Sequence, residues 1–282
     1  MDIERIPITP YINSIIKKPK ISIPEKINIS FTGAGLHCLY QFGISGYINK
    51  LVKNKYFTIN KCYGVSSGSV CAIIFIYAMY NDKSIEQILE SYKKIYDLFY
   101  KQKLSLAEAA AKCIDESTPD NIHEIVNGKL YLTVARFLPT GIKKESISHF
   151  YSKKDLIDCV RVSCSVIYFT DKNLRKWRDG YYFDAFTSII DTTDKIPTLV
   201  IDSPHRVAPF KHQIAPCDNY FDLLVIRGLY DANKVFNHGI KLDTIRWHHD
   251  IKDTNNKNDN MLFIVISVVV FIVVLIITLF YK

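Results

Sequence analysis

The sequence has no cysteine pair at metal-ligand spacing, no internal repeat and no N-terminal signal peptide, and each absence narrows its reading. Seven cysteines (Cys38, Cys62, Cys71, Cys113, Cys159, Cys164, Cys217) are an odd number, and several lie inside apolar stretches. That pattern suits buried thiols in a reducing compartment and argues against a disulfide framework or a zinc site. Met1–Lys20 carries Asp2, Glu4, Arg5 and the run Lys17-Lys18-Pro19-Lys20 without a continuous apolar region, so no secretory leader is expected. Charge of one sign is not in large excess. The 36 Lys and Arg against 28 Asp and Glu give +8, spread along the chain, which suits anionic lipid or nucleic acid equally. With 48% hydrophobic and 23% charged residues, global disorder is excluded, and 282 residues allow one large domain or two small ones.

What is present begins at the C-terminus. A mean hydropathy of +0.04 is high for a soluble enzyme, and nearly all of the excess lies between Met261 and Tyr281. This run carries no charge, and Ser267 and Thr278 are its only non-apolar members. As a helix it would be about 31 Å long, the thickness of a bilayer's hydrocarbon core. A transmembrane helix over 261–281 is therefore expected. Only Lys282 follows it, so insertion after synthesis would leave the preceding domain on the cytosolic side of a single-pass membrane protein. Tethered this way, the basic surface would favour anionic headgroups over nucleic acid. The abundance of Ile, Lys, Asn and Tyr suits an AT-rich genome such as that of a large DNA virus, and host membranes would then receive the tail.

Residues 1–26 hold four of the ten prolines and no periodicity, which reads as an irregular arm. Ile27, Ile29 and Phe31 alternate with Asn28 and Ser30 as a strand. Helical spacing over 39–52, a strand near 58–63 and a very apolar helix over 70–79 follow. This strand–turn–helix alternation argues for a parallel sheet covered by helices. Ser84 is a candidate N-cap for a helix whose apolar face runs from Ile85 to Phe99. Residues 104–126 read as helix or loop, 129–136 as a strand that 146–150 could pair with, and 152–163 as a helix capped by Ser152. A short buried strand at 198–201 and an amphipathic helix over 220–241 complete a domain spanning 27–241. Residues 242–260 read as a polar linker.

The strongest chemical signal is Gly64-Val65-Ser66-Ser67-Gly68, a G-x-S-x-G between a predicted strand and a predicted helix. A nucleophile there stands on a strained turn, and Gly64 and Gly68 are required because a Cβ would collide with neighbouring elements. An ordinary turn capping a core helix is the alternative. Thr32-Gly33-Ala34-Gly35-Leu36, also between strand and helix, could supply backbone N–H donors to a developing oxyanion. A dinucleotide turn fits it less well, since Cys38 stands where the third glycine of G-x-G-x-x-G belongs. The base is less determined. A histidine after residue 200 would satisfy hydrolase order, yet none lies in a recognisable turn. Asp179, in Trp177-Arg178-Asp179-Gly180-Tyr181, could accept the proton directly if burial raised its pKa. Taken alone, Asp-Gly is a plain turn signal.

The ordered set of segments resembles the patatin-like phospholipases, in particular the adiponutrin/adipose triglyceride lipase branch. The similarity runs through Asn28–Gly35, Tyr40-Gln41-Phe42-Gly43, Gly64–Gly68, Leu132–Arg136, Phe150–Ile157, Ser163-Cys164-Ser165 and Arg178–Asp184, and is weaker beyond about residue 186. It implies a three-layer α/β sandwich with a mainly parallel sheet. The implied chemistry is acyl-ester hydrolysis of glycerophospholipids or neutral glycerolipids by a Ser–Asp dyad, with no metal or cofactor. Ser66 would be nucleophile, Asp179 base, Gly180 a motif flank, and the amides of Gly33, Ala34 and Gly35 an oxyanion hole. The sequence departs from the family pattern at Cys38, at Tyr181 in place of a second glycine, at Ile167 in place of a proline, and at Ala185-Phe186-Thr187 in place of Asn-x-Pro. A catalytically weak relative that binds lipid at a membrane is the competing expectation.

Overall fold

The computed structural model describes residues 14–15, 17–81, 98–99, 102, 104–166, 170–171, 174–204 and 220–250. The expected helix over Ile85–Phe99 falls almost wholly outside these residues, and the expected membrane helix over 261–281 falls wholly outside them. Among the described residues, no helix is long and apolar enough to cross a membrane.

The first half alternates as the sequence pattern demands. Strand β1 (Lys26–Phe31) leads through the Gly35–His37 turn into helix α1 (Cys38–Lys53). Strand β2 (Thr58–Val65) and helix α2 (Ser67–Tyr80) follow. The stretch from 104 to 126 resolves into helices α3 (Leu106–Ser117) and α4 (Ile122–Val126), with the Ser105 side chain accepting from the Glu108 amide at the start of α3. Strands β3 (Leu130–Leu138) and β4 (Gly141–Ile147) form a hairpin. Helix α5 (Lys153–Ser163) starts at Ser152, whose hydroxyl accepts from the Asp155 amide, the cap that the sequence predicts. Strands β5 (Arg175–Trp177), β6 (Gly180–Asp184) and β7 (Thr198–Ile201), helix α6 (Tyr220–His238) and strand β8 (Ile245–Trp247) complete the order.

Among the described residues, eight strands make one mixed sheet in the order β5-β6-β3-β2-β1-β7-β8, with β4 also on β3. Its centre, β7-β1-β2-β3, is parallel, and antiparallel strands flank it on both sides. Strand β8 pairs with β7 from inside the stretch expected to be linker, so the domain's sheet extends past residue 241. The reason is local: three residues completing a sheet edge carry too short a pattern to stand out in sequence.

One continuous core joins helices α1 through α6 to the sheet face that carries Ile29, Phe31, Cys62, Leu132 and Leu199. Helices α1 and α6 meet backbone to backbone. A Cβ on Gly43 would lie 2.1 Å from the Val225 carbonyl oxygen, and one on Gly228 would lie 2.1 Å from that of Tyr40. On the opposite face, Asn28 and Lys61 hold the extended segment that follows β6. Asn28 donates to the Ile196 carbonyl, and the Lys61 ammonium pairs with Asp191 at 2.7 Å and Asp194 at 3.0 Å. Among the described residues, this segment rather than a helical layer covers that face.

Candidate active site

Strand β3 carries neighbours on both edges, and its register builds the site. One edge pairs with β4 along most of its length. The other pairs with β2 as far as Val65 opposite Thr133, and then with β6 from Asp184 opposite Val134. Strand β2 runs parallel to β3 and β6 runs antiparallel to it, so their C-terminal ends point at one another. Ser66 leaves the end of β2, and Asp184 is the last residue of β6. Both side chains line one pocket, where the Ser66 hydroxyl is near enough to favour the ionised Asp184 carboxylate.

Ser66 adopts φ 55° and ψ −136°, a conformation that costs free energy outside glycine and persists only where surrounding contacts fix it. The flanking glycines allow it. A Cβ on Gly64 would sit 2.7 Å from the Cα of Ser69, and one on Gly68 would sit 2.3 Å from the Phe31 carbonyl oxygen. Both clashes are with backbone, as the sequence reading of Gly64 and Gly68 requires. The serine also stands at the N-terminus of α2, where the helix's positive end favours an adjacent developing anion.

Asp184 is 1% exposed. Burial, its largest influence, pushes its carboxyl up to about 7, against the Ser66 and Phe186 hydrogen bonds and the Lys144 charge, which pull it down. The Phe186 amide donates to its Oδ1 at 2.7 Å, closing a tight turn in which Phe186 takes φ 61°. The Asp184 amide donates to the Ser165 carbonyl.

The glycine loop comes to the same place. A Cβ on Gly33 would lie 3.0 Å from that of Ser66, so any larger residue there would have to displace the serine by a few tenths of an ångström. Gly33, Ala34, Gly35, Ser66, Ser67 and Asp184 line one pocket. Gly35 takes a positive φ of 54°. The Ala34 amide donates to the Ser67 hydroxyl at 3.0 Å, so this one of the three expected oxyanion donors already has an acceptor. Leu36, Val70, Leu106, Ala110, Cys164 and Val166 give the pocket an apolar wall. Burial holds the Cys164 thiol well above its ordinary pKa, which keeps it neutral.

Asp179 is not brought to this pocket. Its side chain is 74% exposed and pairs with Arg136 at 2.8 Å, and that guanidinium holds its carboxyl below the ordinary range. Arg178 and Asp179 are the two-residue loop of the β5–β6 hairpin, closed by the Trp177–Gly180 pair. Gly180 fits because a Cβ there would crowd Arg136 at 2.8 Å from Nε. The hairpin is pinned by Arg178, which donates to Asp155 and the His149 carbonyl and lies over the rings of Tyr151 and Trp177. The turn that Asp-Gly signals is present, but its two loop residues are Arg178 and Asp179, with Gly180 the first residue of β6. The carboxyl at the serine, Asp184, was missed by sequence reasoning. Its signal is the run Tyr181-Tyr182-Phe183 before it, which places an acid at a buried strand end. Tyr181 points outward, half exposed, on the strand that leads there. Ile167 lies outside the described residues. Among the described residues, no cluster of side chains suits a metal ion.

Comparison with known proteins agrees with the resemblance to patatin-like phospholipases. The mouse 1-acylglycerol-3-phosphate O-acyltransferase Pnpla3 is 22% identical over 67% of this chain and 45% of its own length. Mouse patatin-like phospholipase domain-containing protein 2 is 24% identical over 72% of this chain and 41% of its own. The mouse omega-hydroxyceramide transacylase is 23% identical over 64% and 31%. The chain therefore spans less than half the length of these curated relatives. A crystal structure of SpcU in complex with ExoU, from the type III secretion system of Pseudomonas aeruginosa, aligns at a TM-score of 0.38 and 12% identity, over 80% of this chain and 55% of that one. No family model matches the sequence.

Proposed function

We propose that this patatin-like chain is a membrane-anchored lipid acyl hydrolase in which Ser66 is the nucleophile and Asp184 the base. The observation that carries this reading is the meeting of the strained Ser66 and the buried Asp184 in one pocket, where the ends of β2 and β6 converge. A carboxyl of ordinary pKa is a poor acceptor for a serine proton, and one raised to about 7 is better matched near neutrality.

The Ser66 hydroxyl attacks the ester carbonyl while Asp184 takes its proton. The resulting oxyanion is met by the glycine-loop amides, replacing the Ser67 hydroxyl as acceptor for Ala34. Collapse releases the alcohol with the proton from Asp184 and leaves the acyl group on Ser66. Water, deprotonated by Asp184, then attacks the ester, and the fatty acid departs from Ser66 as its hydroxyl is restored. The apolar wall from Leu36 to Val166 suits the acyl chain. The relatives' names include an acyltransferase and a transacylase, and an alcohol of a second lipid in place of water would give that outcome from the same acyl-enzyme. The reading of a catalytically weak relative loses one of its grounds, because Tyr181 does not line the pocket.

The residues 261–281 carry the anchoring part of the proposal, through their length and lack of charge. Hydrolysis of a glycerolipid ester and labelling by a fluorophosphonate test the chemistry. Wild type is expected to react, and Ser66→Ala to lose both activities. Asp184→Asn is expected to lower turnover by about 100-fold or more. Equal turnover in all three proteins defeats the proposal.

A further inference from the structure

The segment Ser163-Cys164-Ser165, at the end of α5, touches both halves of the site without being either of them. The Ser163 hydroxyl is fully buried and stands at the junction of β2, β3 and α2. It accepts from the Ser66 amide at 3.1 Å and donates to the Thr133 carbonyl at 3.0 Å. Its contact with the Ser69 hydroxyl, at 2.8 Å, completes the set. A serine hydroxyl has one proton and two lone pairs. With the proton committed to Thr133, Ser69 must be the donor to Ser163, and every bonding position of the Ser163 oxygen is filled. Two residues later, the Ser165 carbonyl accepts from the Asp184 amide at 3.0 Å.

Thr133 is the register point on β3 where β2 ends, and its neighbour Val134 is where β6 ends. One turn of chain therefore grips the nucleophile's backbone, the acid's backbone and the strand between them. The grip on Ser66 falls on the residue whose backbone is strained, where an external hold is needed.

We propose that Ser163 is a positioning residue for acyl transfer, its hydroxyl fixing the strained backbone of Ser66 at the distance from Asp184 that proton transfer requires. This rests on the reading of Ser66 and Asp184 as the reacting pair. Ser163→Ala would strand a buried N–H on Ser66 and a buried carbonyl on Thr133, and release the serine from its register. Displacement of a reacting group by an ångström can cost about 100-fold in rate.

The test compares wild type, Ser163→Ala and Ser163→Thr on a soluble acyl ester, well below the melting temperature of each. The expected result is a fall in kcat of about 10- to 100-fold for Ser163→Ala, with KM within about twofold. The pH midpoint should stay in place, because Asp184 keeps its burial. Ser163→Thr, which retains the hydroxyl, should recover most of the loss. In the amide-exchange pattern of Ser163→Ala, the Ser66 amide should lose protection while those in the middle of α2 keep theirs. A purely structural role would lower the melting temperature and leave kcat intact below it, and that outcome overturns the inference. If Ser163→Ala does not fold, Ser163→Cys replaces it with a side chain of similar size and weaker bonding, and wild-type kcat in that variant overturns the inference equally. An inert wild type would instead sink the Ser66–Asp184 reading, and this proposal with it.

Discussion

Asp179 and Asp184 flank one short strand, and their surroundings give them opposite chemistry. Asp179 is solvated and held ionised by Arg136, so it is a weak base at any pH where the protein works. Asp184 is buried beside a serine hydroxyl. Asp179→Asn is therefore expected to leave fluorophosphonate labelling within about threefold of wild type, whereas Asp184→Asn removes nearly all turnover. With Asp184 as the proposed base, activity would require its ionised form, and the rate should rise with pH through a midpoint near 7. Stability runs the other way. A carboxyl whose pKa is higher in the folded than in the unfolded chain stabilises the fold below the unfolded value, and that contribution is lost as pH rises to about 7. Thermal melts between pH 4 and 8 should show wild type losing stability relative to Asp184→Asn over that interval. Ser66 was legible because an elbow is a local pattern, with glycines that only a tight backbone needs. The acid was not, since a solvated turn and a buried strand end differ only in tertiary surroundings, and Asp-Gly is the more conspicuous pair.

At the scale of elements, the long and periodic pieces were readable and the short ones were not. The apolar run of α2, the cap at Ser152 and the strands β1, β2, β3 and β7 follow from patterns several residues long. Strands β5 and β8 have three residues each and exist because a neighbouring strand offers an edge. Asn28 and Ser30 illustrate a further limit: they look like a solvated face, yet both are buried, Asn28 against the segment that Lys61 also holds. The α1–α6 contact depends on glycines that no periodicity marks. Gly228→Ala should cost about 1–3 kcal/mol, read as a lowered midpoint in denaturant melts, because the obstructing atom is the Tyr40 carbonyl on a buried helix. Labelling of Ser66 below the melt should persist in that variant.

For the whole molecule, a mixed sheet with a parallel centre and a continuous core joining six of the described helices to it holds the site at the carboxyl ends of β1 and β2. The charge of +8 and the uncharged segment 261–281 are the features on which the proposed membrane attachment rests. Full-length protein expressed in cells should remain in the membrane pellet after alkaline carbonate extraction. Recovery in the supernatant would rule out an integral anchor while leaving the chemistry of Ser66 untouched.

The end-to-end approach of β2 and β6 has a kinetic corollary. Ser66 belongs to an early βαβ unit, and Asp184 arrives on a hairpin from far along the chain, so the two meet only after distant segments have docked. Contacts so remote in sequence are slow to close during refolding. Recovery of serine reactivity from denaturant should therefore lag the return of helical ellipticity, so labelling of Ser66 would time completion of the fold.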